Sequence, residues 1–357
     1  MNLIITGACG HIGCNVTIEA IKRGHRVIGF DNLRRPDVLD NLRYLQQNYT
    51  KDQFEFVWGD VRNLYDIDRL PSTNIGGIIH LAGQCGIPES LRSSFYDFDV
   101  NARGTLNMLD FAHRIGNVPF AYASTNKTFS DITNIITTME TPDRYFWSDM
   151  NEPLDVLKVG LDWNGKQPIA VNENFPIAGF GKYGHSMYGI SKLTGELYVQ
   201  EYHCLYGMPT IINKKSCIFG LFQKGVEDQG WVSYFLLKIG FGDGKLNIFG
   251  TGKQVRDVLD ARDVARLYID EIEQIDKCDG EIFTVGGGPD NTYSLLEVIR
   301  EIEKHTGKKA ELTFKEKRNA DQDIFISSLK RVNEVLGWKP KIKFEQTLKD
   351  MINEYSK

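Results

Sequence analysis

The chain has 357 residues, of which 41% are hydrophobic and 25% are charged, and its formal net charge is -5. This length and balance are typical of a globular protein with two lobes and a cleft between them. The small negative charge, with no concentrated basic face, argues against a nucleic-acid partner. No apolar run approaches the roughly 18 residues of a membrane span, and the opening MNLIITG is expected to be a first strand rather than a signal peptide. Six scattered cysteines without a C-x-x-C pair predict reduced thiols, no zinc or other metal site, and a cytoplasmic location.

Short apolar runs alternate with longer amphipathic runs through the first half of the chain. Strands are predicted at 3–6, 26–31, 54–59, 77–82, 119–123 and 209–214, and helices at 12–23, 38–48, 100–115 and 187–206. This alternation predicts a parallel sheet with helices on both faces. Between residues 128 and 184 the periodicity weakens, and a loop this long is expected to form a lid or a wall of the substrate site.

Shorter elements follow residue 220, at 229–241, 261–274, 281–285, 294–305, 310–314, 327–336 and 344–355. The predicted fold is therefore α/β, a Rossmann doubly wound parallel sheet with a smaller C-terminal α/β lobe that binds the substrate. The expected domains are 1–220, which includes the helix 187–206, and 221–357. The boundary is soft, because elements of such enzymes cross between lobes.

A glycine-rich turn follows the first predicted strand, with Gly7, Gly10 and Gly13 in a G-x-x-G-x-x-G pattern. Gly7 permits a tight turn, Gly10 lets the backbone approach a pyrophosphate, and Gly13 allows the helix and strand to pack closely. The N-terminus of the following helix offers free N–H groups and a partial positive charge to phosphates. The turn therefore predicts a dinucleotide site.

Acidic residues end the next two predicted strands. Asp31 lies 18 residues after Gly13, where a carboxylate hydrogen-bonds the adenosine ribose and favours NAD over NADP. Arg34 and Arg35 follow closely and offer an alternative site for the extra phosphate of NADP, but Asp31 outweighs them. For Asp60 two interpretations remain open, a contact to the adenine amine and a helix N-cap.

Tyr188 and Lys192 form a Y-x-x-x-K pattern on a predicted helix. Residues four apart share a helix face, and a lysine ammonium near a tyrosine lowers the pKa of the phenol. Tyr188 is then able to take a hydroxyl proton as a hydride leaves the same carbon. Ser124 and Thr125 follow the fifth strand, at the edge where ligands of open sheets bind, although a simple turn also favours these residues.

Together these features resemble the extended short-chain dehydrogenase/reductase family. Within it, the chain resembles the branch of CDP-tyvelose 2-epimerases, also called CDP-paratose 2-epimerases. The motifs that carry the resemblance are Ser124-Thr-Asn-Lys127, His185-Ser186, Asp228-Gln-Gly-Trp231, Gly252-Lys-Gln-Val-Arg-Asp257 and Arg318-Asn-Ala-Asp-Gln322. Phe129-Ser130 and Lys214 depart from the usual pattern, which has Tyr-Gly and arginine at these positions.

The resemblance implies an NAD-dependent epimerase that removes a hydride from C2 of a CDP-linked deoxysugar and returns it to the other face. It implies that Thr125, Tyr188 and Lys192 are catalytic. The residues that it places around NAD are Gly7, Gly10, His11, Ile12, Gly13, Asp31, Asn32, Asp60, Val61, Leu81, Ala82, Gln84, Asn101, Ser124, Tyr188 and Lys192. The residues that it places at the substrate are Thr125, Asn126, Lys127, His185, Gln229, Arg256 and Arg318.

Several alternatives stay open at the level of sequence. Asn126-Lys127 stands where 4,6-dehydratases of the family have an Asp-Glu pair, which disfavours dehydration. Lys127 is alternatively a solvated loop lysine, Arg256 a partner of Asp257 or Asp260, and His185 a packed loop residue. A nucleotide-sugar 4-epimerase, a net dehydrogenase or dehydratase of the same family and a non-catalytic NAD-binding regulator are the competing functions. Relatives pair through two helices per subunit, so the resemblance also implies a homodimer or homotetramer formed by 100–115 and 187–206.

Overall fold

The computed structural model describes residues 1–35, 38–151, 153–177, 183–318 and 320–356. The strands are β1 (Asn2–Thr6), β2 (Arg26–Asp31), β3 (Phe54–Trp58), β4 (Ile75–His80), β5 (Phe120–Thr125), β6 (Thr138–Glu140), β7 (Tyr145–Trp147), β8 (Leu161–Asn164), β9 (Gln167–Val171), β10 (Thr210–Lys215), β11 (Cys217–Phe219), β12 (Lys245–Phe249), β13 (Val255–Asp260), β14 (Glu281–Val285), β15 (Thr292–Ser294), β16 (Glu311–Lys315) and β17 (Ile324–Phe325).

The α-helices are α1 (His11–Lys22), α2 (Val38–Asn48), α3 (Leu64–Ile67), α4 (Ile87–Arg92), α5 (Ser94–Phe98), α6 (Gly104–Arg114), α7 (Asp155–Gly160), α8 (Ser186–Tyr206), α9 (Trp231–Leu236), α10 (Ala261–Glu273), α11 (Ile275–Cys278), α12 (Leu295–Thr306), α13 (Lys330–Leu336) and α14 (Phe344–Tyr355). A π-helical segment, Asp99–Arg103, joins α5 to α6 in one continuous helical run. Among the described residues, no helix is both long and apolar enough to cross a membrane.

The central sheet has seven strands in the order β14-β10-β5-β4-β1-β2-β3, and every pair is parallel. The strand order reverses between β1 and β4, and open α/β sheets bind ligands in the crevice at such a reversal, outside the carboxyl ends of the strands. The predicted Rossmann sheet is confirmed, and its topology places the glycine turn after β1 at this crevice.

Alternate residues of β1 pack into two different cores. Leu3 and Ile5 lie in the cluster that contains α1 and α10, with Leu267 among its members. Ile4 lies in the cluster on the other face, which contains Met108 of α6 and residues of α8. Both faces of the sheet are therefore covered by helices, which explains why its strands are nearly continuous apolar runs.

The second lobe is built around β13, which pairs with β11, β15 and β17, and around the two-stranded sheet of β12 and β16. The chain does not remain in this lobe after residue 220. It returns through α10, which packs on α1, to β14, which pairs with β10 at the edge of the central sheet. Residues on both sides of 220 therefore contribute strands to the central sheet, because the crossover from β13 to β14 carries the chain back to the first lobe.

The segment from 128 to 184 is not the long loop that its weak periodicity predicts. Its described part contains two antiparallel hairpins, β6-β7 and β8-β9, and the short helix α7. Phe129, Trp147 and Phe175 bury their rings in one cluster with Phe325 of β17. Strands of three to five residues are too short to show a clear period, which is why the sequence pattern missed them. Residues 152 and 178–182 of this segment lie outside the described residues.

Candidate active site

The glycine turn after β1 has no room for side chains at two of its positions. Gly7 has a φ of +68°, and a Cβ there would lie 2.8 Å from the backbone nitrogen of Ala82. A Cβ on Gly13 would lie 2.0 Å from the carbonyl oxygen of Gly7. Gly10 caps α1 and donates its N–H to the same oxygen at 3.0 Å. The turn is therefore tight enough to aim the N-terminus of α1 into the crevice.

The loop after β4 is fastened to β1 beside this turn. The Oγ1 of Thr6 accepts hydrogen bonds from the backbone N–H groups of Leu81 and Ala82, each at 3.1 Å. The same hydroxyl lies 2.8 Å from Nδ1 of His80, which is fully buried. The backbone N–H groups of Leu81 and Ala82 therefore donate to Thr6 and are not free for a ligand. These hydrogen bonds hold the two residues in place as a wall of the crevice.

Asp31 braces the glycine turn from the end of β2. Its carboxylate accepts hydrogen bonds from the N–H groups of Cys9, at 3.0 Å, and Leu33, at 2.8 Å. Burial raises the pKa of Asp31, and these amides oppose the increase because they stabilise the charged form. Asp31 ends β2, and its role as a ribose ligand stays a prediction.

Asp60 follows β3 and is held by Arg62 and Asn32. Arg62 donates to both carboxylate oxygens, at 2.9 and 2.8 Å, and the amide of Asn32 donates at 2.9 Å. Burial alone would raise the pKa of Asp60, but the contacts with Arg62 outweigh it and hold the pKa at about 2. The helix that follows is capped by Asn63, so the N-cap interpretation of Asp60 is wrong.

His11 begins α1 at the crevice, and its Nε2 is buried without a hydrogen-bond partner among the described residues. Burial, together with the cations of Arg35 and Lys215, lowers the pKa of His11 to about 3, so the imidazole is neutral. Ile12 packs against the core on the α1 face. Val61 is buried against Gly104, where it supports the loop after β3.

Asn101 joins the loop after β4 to α8. Its Oδ1 accepts from the N–H of Gln84 at 3.0 Å, and its Nδ2 is 3.0 Å from the carbonyl oxygen of Gln84 and 3.0 Å from Oγ of Ser191. The Gln84 side chain in turn bonds both backbone groups of Gly86. Asn101 and Gln84, which both belong to the predicted cofactor residues, therefore hold the crevice wall in position.

The proposed catalytic pair lies on α8 beside the end of β5. The phenol of Tyr188 lies next to the Thr125 side chain, and Lys192 is 4% exposed with its Nζ 4.2 Å from the centre of the Tyr122 ring. Burial raises the pKa of the Tyr188 phenol, and the neighbouring Thr125 opposes the increase. Burial also lowers the pKa of Lys192 to about 8. The expected lowering of the phenol pKa by Lys192 is absent from this arrangement, because the cost of burying a phenolate dominates.

Glu196 and Lys214 form a buried ion pair next to Tyr188 and Lys192. Glu196 accepts from Nζ of Lys214 at 2.5 Å and from the hydroxyl of Ser124, and Lys214 also donates to Oγ1 of Thr128 at 3.1 Å. The side chains of Glu196 and Lys214 are 1% and 4% exposed. Ser124 therefore fastens β5 to α8 through Glu196.

A charged cluster lies where the loop after β5 meets the second lobe. Arg256 donates to Asp321 at 2.7 Å, and Nζ of Lys127 lies 3.8 Å from the same carboxylate. The amide of Asn126 donates to Oε1 of Gln322 at 3.1 Å. Burial lowers the pKa of Lys127 to about 8, although Asp321 opposes the decrease. Arg256 thus pairs with Asp321 rather than with Asp257 or Asp260, and the Lys127 side chain is only 15% exposed rather than fully solvated.

The remaining predicted substrate residues lie around this cluster. Gln229 accepts a hydrogen bond from Arg35 of the first lobe. Arg318 stacks on the Phe249 ring with its guanidinium carbon 3.9 Å from the ring centre. His185 precedes α8, and its Nε2 contacts the carbonyl oxygen of Ile177.

Sequence reasoning missed the roles of Glu196, Asp321 and Lys215. Glu196 and Asp321 neutralise buried cations, and Lys215 stands at the carboxyl end of β10 beside Lys192. Two lysines that end the apolar run TIINKK were the available signal, because buried lysines are rare without a partner or a function.

The comparisons with known proteins agree with this arrangement. The family model described as GDP-mannose 4,6 dehydratase matches residues 4–148 and 165–351. A CDP-paratose 2-epimerase from Salmonella typhi is 33% identical over 357 residues, with 98% of each chain covered. A UDP-glucuronate 4-epimerase from Thermodesulfobacterium geofontis is 27% identical and covers 98% of this chain and 94% of its own.

Two solved structures have the same fold. The UDP-glucose 4-epimerase of Bifidobacterium longum, in complex with NAD+ and UDP, has a TM-score of 0.79 at 21% identity and covers 100% of this chain and 98% of its own. The UDP-glucuronic acid 4-epimerase of Bacillus cereus, in complex with UDP-glucuronic acid and NAD, has a TM-score of 0.78 at 22% identity and covers 100% of this chain and 99% of its own. Residues 149–164, which include α7 and β8, fall outside the family match.

Proposed function

This chain belongs to the extended short-chain dehydrogenase/reductase family, in the group of nucleotide-sugar epimerases and dehydratases, and on that premise we propose that it is an NAD-dependent nucleotide-sugar epimerase. One observation carries the proposal: a glycine turn with no room for side chains and the Thr125–Tyr188 contact lie at the same edge of one parallel sheet. This brings a dinucleotide site and a proton-transfer group to one crevice.

The residues of the crevice fit NAD. The N-terminus of α1 and the closely packed turn suit a pyrophosphate, and the unpartnered Nε2 of His11 lies beside them. Asp31 at the end of β2 suits the adenosine ribose and disfavours a further phosphate there. When bound, NAD supplies the hydride acceptor and donor of the reaction.

Proton transfer falls to Tyr188. As the phenolate, Tyr188 takes the proton of the sugar hydroxyl while the hydride leaves the same carbon, and it returns the proton after the keto sugar has turned over. Because burial raises the pKa of this phenol, the phenolate depends on positive charge beside it. The Lys192 ammonium provides such charge on the same helix face, and Thr125 stands next to the phenol. The carbon loses and regains one hydride, so there is no net redox change.

Epimerisation is favoured over dehydration by the pair Asn126-Lys127. Dehydratases of the family have an Asp-Glu pair at these positions, and an amide and an ammonium do not reproduce its two carboxyl groups. Asn126 is moreover bound to Gln322, which fixes its side chain away from acid-base chemistry. Lys127, with a pKa of about 8, contributes charge next to Arg256 instead.

The substrate is proposed to be a nucleotide-diphosphate sugar, with a CDP-linked deoxysugar epimerised at C2 as the preferred case. Arg256 and Lys127 supply cations for the diphosphate, and arginine binds phosphate oxygens in a bidentate manner. In this structure Arg256 and Lys127 both form ion pairs with Asp321, so a diphosphate must compete with this carboxylate for the two cations. The preference for CDP and C2 is supported by the 33% identical relative. A 4-epimerase is the second candidate, supported by the 27% identical UDP-glucuronate 4-epimerase.

The test begins with the cofactor. We expect the purified protein to carry NAD without any addition and to convert the sugar without accumulating free NADH. Proton couplings of the product ring, measured by NMR with CDP-paratose and UDP-glucuronate as separate substrates, identify the inverted carbon. Tyr188→Phe is expected to retain NAD and lose activity, whereas Tyr198→Phe on the exposed side of α8 is the matched control and should remain active. A protein that requires stoichiometric added NAD contradicts the proposal.

We also propose that the chain forms a homodimer, with a homotetramer as the alternative, through α8 and the continuous helical run from α5 to α6, which contains most of the predicted helix 100–115. These helices contact each other and expose a row of apolar side chains, including Phe95, Leu197 and Leu205, of which Phe95 is 88% exposed. An exposed apolar face of this kind marks an interaction surface. Light scattering is expected to show a dimer that Leu197→Glu and Leu205→Glu together dissociate, while Leu154→Glu, at an exposed site elsewhere, leaves it intact.

A further inference from the structure

Lys215 stands at the nicotinamide side of the crevice. It is the last residue of β10 and is in register with Thr125 at the end of β5. Asp31 and Asp60, after β2 and β3, mark the adenosine side of β1, and β4, β5 and β10 lie on the other side of β1. A dinucleotide that spans the sheet edge therefore directs its nicotinamide toward the strand that ends at Lys215.

The neighbours of Lys215 come from three elements that line the same crevice. Its ammonium interacts electrostatically with Lys192 of α8, with Cys85 in the loop after β4 and with His11 at the start of α1. Its Nζ donates to the hydroxyl of Tyr268 at 3.2 Å, which fixes the side chain against α10. Burial and the nearby Lys192 lower the pKa of Lys215 to about 7.

Glu271 is the acidic group next to Lys215. It is fully buried on α10, and burial raises its pKa to about 8 against the opposing attraction of Lys215, so burial favours the uncharged carboxyl. Asn213 donates to Oε2 of Glu271 at 3.0 Å, while Oδ1 of Asn213 and Oε1 of Glu271 have no partner among the described residues. A proton on Glu271 supplies a hydrogen-bond donor to this pair of side chains. Among the described residues, the Lys215 ammonium contacts the Tyr268 hydroxyl and forms no ion pair, so its charge remains at the strand end that lines the crevice.

We propose that Lys215 is a positioning residue whose charge raises the reduction potential of the bound nicotinamide. This inference rests on the proposed NAD-dependent function. The oxidised nicotinamide ring is cationic and the reduced ring is neutral, so a nearby ammonium disfavours the oxidised form. The charge of Lys215 thereby favours removal of the hydride from the sugar, and Tyr188 takes the accompanying proton.

The test measures the potential of the bound cofactor rather than turnover. Holoenzyme is equilibrated with a redox mediator at a series of fixed potentials, at a pH well below that at which Lys215 loses its proton, and the reduced nicotinamide is measured by its near-ultraviolet absorbance. Lys215→Met is expected to lower the ratio of reduced to oxidised cofactor about tenfold at a fixed potential, which corresponds to about 30 mV for a two-electron couple. Lys215→Gln provides a second neutral variant if the methionine variant does not fold.

Two controls separate the local charge from other effects. Lys215→Arg keeps the cation and is expected to keep the wild-type potential. Lys349→Met removes an exposed lysine of α14 and is expected to change nothing. Equal potentials in the wild type and both neutral variants overturn the inference, and so does an equal shift in Lys349→Met. A purified protein that binds no NAD contradicts the proposed function itself, which is a distinguishable result.

Discussion

Removal of the Lys214 ammonium should destabilise the protein far more than removal of an exposed charge. In Lys214→Met, Glu196 remains buried as a carboxylate with Ser124 as its hydrogen-bond donor. Breaking a buried pair by removing one partner typically costs about 3–5 kcal/mol, because the remaining charge has lost its compensation. Since whole domains are stable by about 5–15 kcal/mol, this is a large fraction of the total.

The size of the stability loss depends on the unpaired Glu196 carboxylate, and a second variant measures the contribution of that charge. Glu196→Gln added to Lys214→Met removes the unpaired carboxylate while the amide oxygen keeps its contact with Ser124. The double variant is therefore expected to regain most of the loss and to lie within about 1–2 kcal/mol of the wild type. The pair also fixes α8 to β5 and β10, so the single variant is expected to lower kcat through a displaced Tyr188.

Urea denaturation of the wild type, Lys214→Met and the double variant measures the free energy of unfolding, provided that the slopes agree. Arg26→Met, which breaks an exposed pair with Glu55, is the control and should shift the midpoint little. A loss below about 1 kcal/mol in Lys214→Met, or a double variant less stable than the single one, would refute the reasoning that the unpaired carboxylate dominates.

Three further predictions follow from buried contacts. Gly13→Ala places a Cβ 2.0 Å from a carbonyl oxygen, so the turn must shift, and we expect a loss of at least about 2 kcal/mol and of co-purifying NAD, measured by denaturation and absorbance. The pKa of Glu271 is raised from 4.5 to about 8, so its contribution to stability is complete below about pH 4.5 and is lost as the pH rises through about 8. Glu271→Gln still contacts Asn213 but does not titrate. In thermal denaturation the variant should therefore gain stability relative to the wild type as the pH rises from about 4.5 to about 8. Asn101→Ala leaves Ser191 and a backbone amide without their partner, and is expected to cost about 1–3 kcal/mol and to lower kcat more than the denaturation midpoint alone explains.

Local geometry explains why much of the site could be predicted from the sequence. The glycine turn is a property of seven consecutive residues, and the spacing of Tyr188 and Lys192 is one helical turn within α8. The central strands are apolar runs bounded by turn residues, so both their existence and their parallel order follow from alternation with helices. These features depend on few contacts from elsewhere in the chain.

Only the tertiary structure decided which charges are paired and which strands after residue 220 join the central sheet. Asn126 meets Gln322 across 196 positions of the chain, and Asp321 comes between Arg256 and Lys127 from an equally distant segment. The return of β14 to the central sheet and the hairpins between residues 128 and 184 likewise depend on long-range packing.

The protonation states of the site belong to the same category. The spacing of Tyr188 and Lys192 predicts a lowered phenol pKa, but the pKa is raised. Burial destabilises the phenolate more than the neighbouring Thr125 stabilises it. The sequence by itself determined the glycine turn and the catalytic helix, since their geometry is local. The fold decided burial, and burial sets the charges of Tyr188, Lys192 and Lys215, because desolvation depends on what the rest of the chain packs around each group.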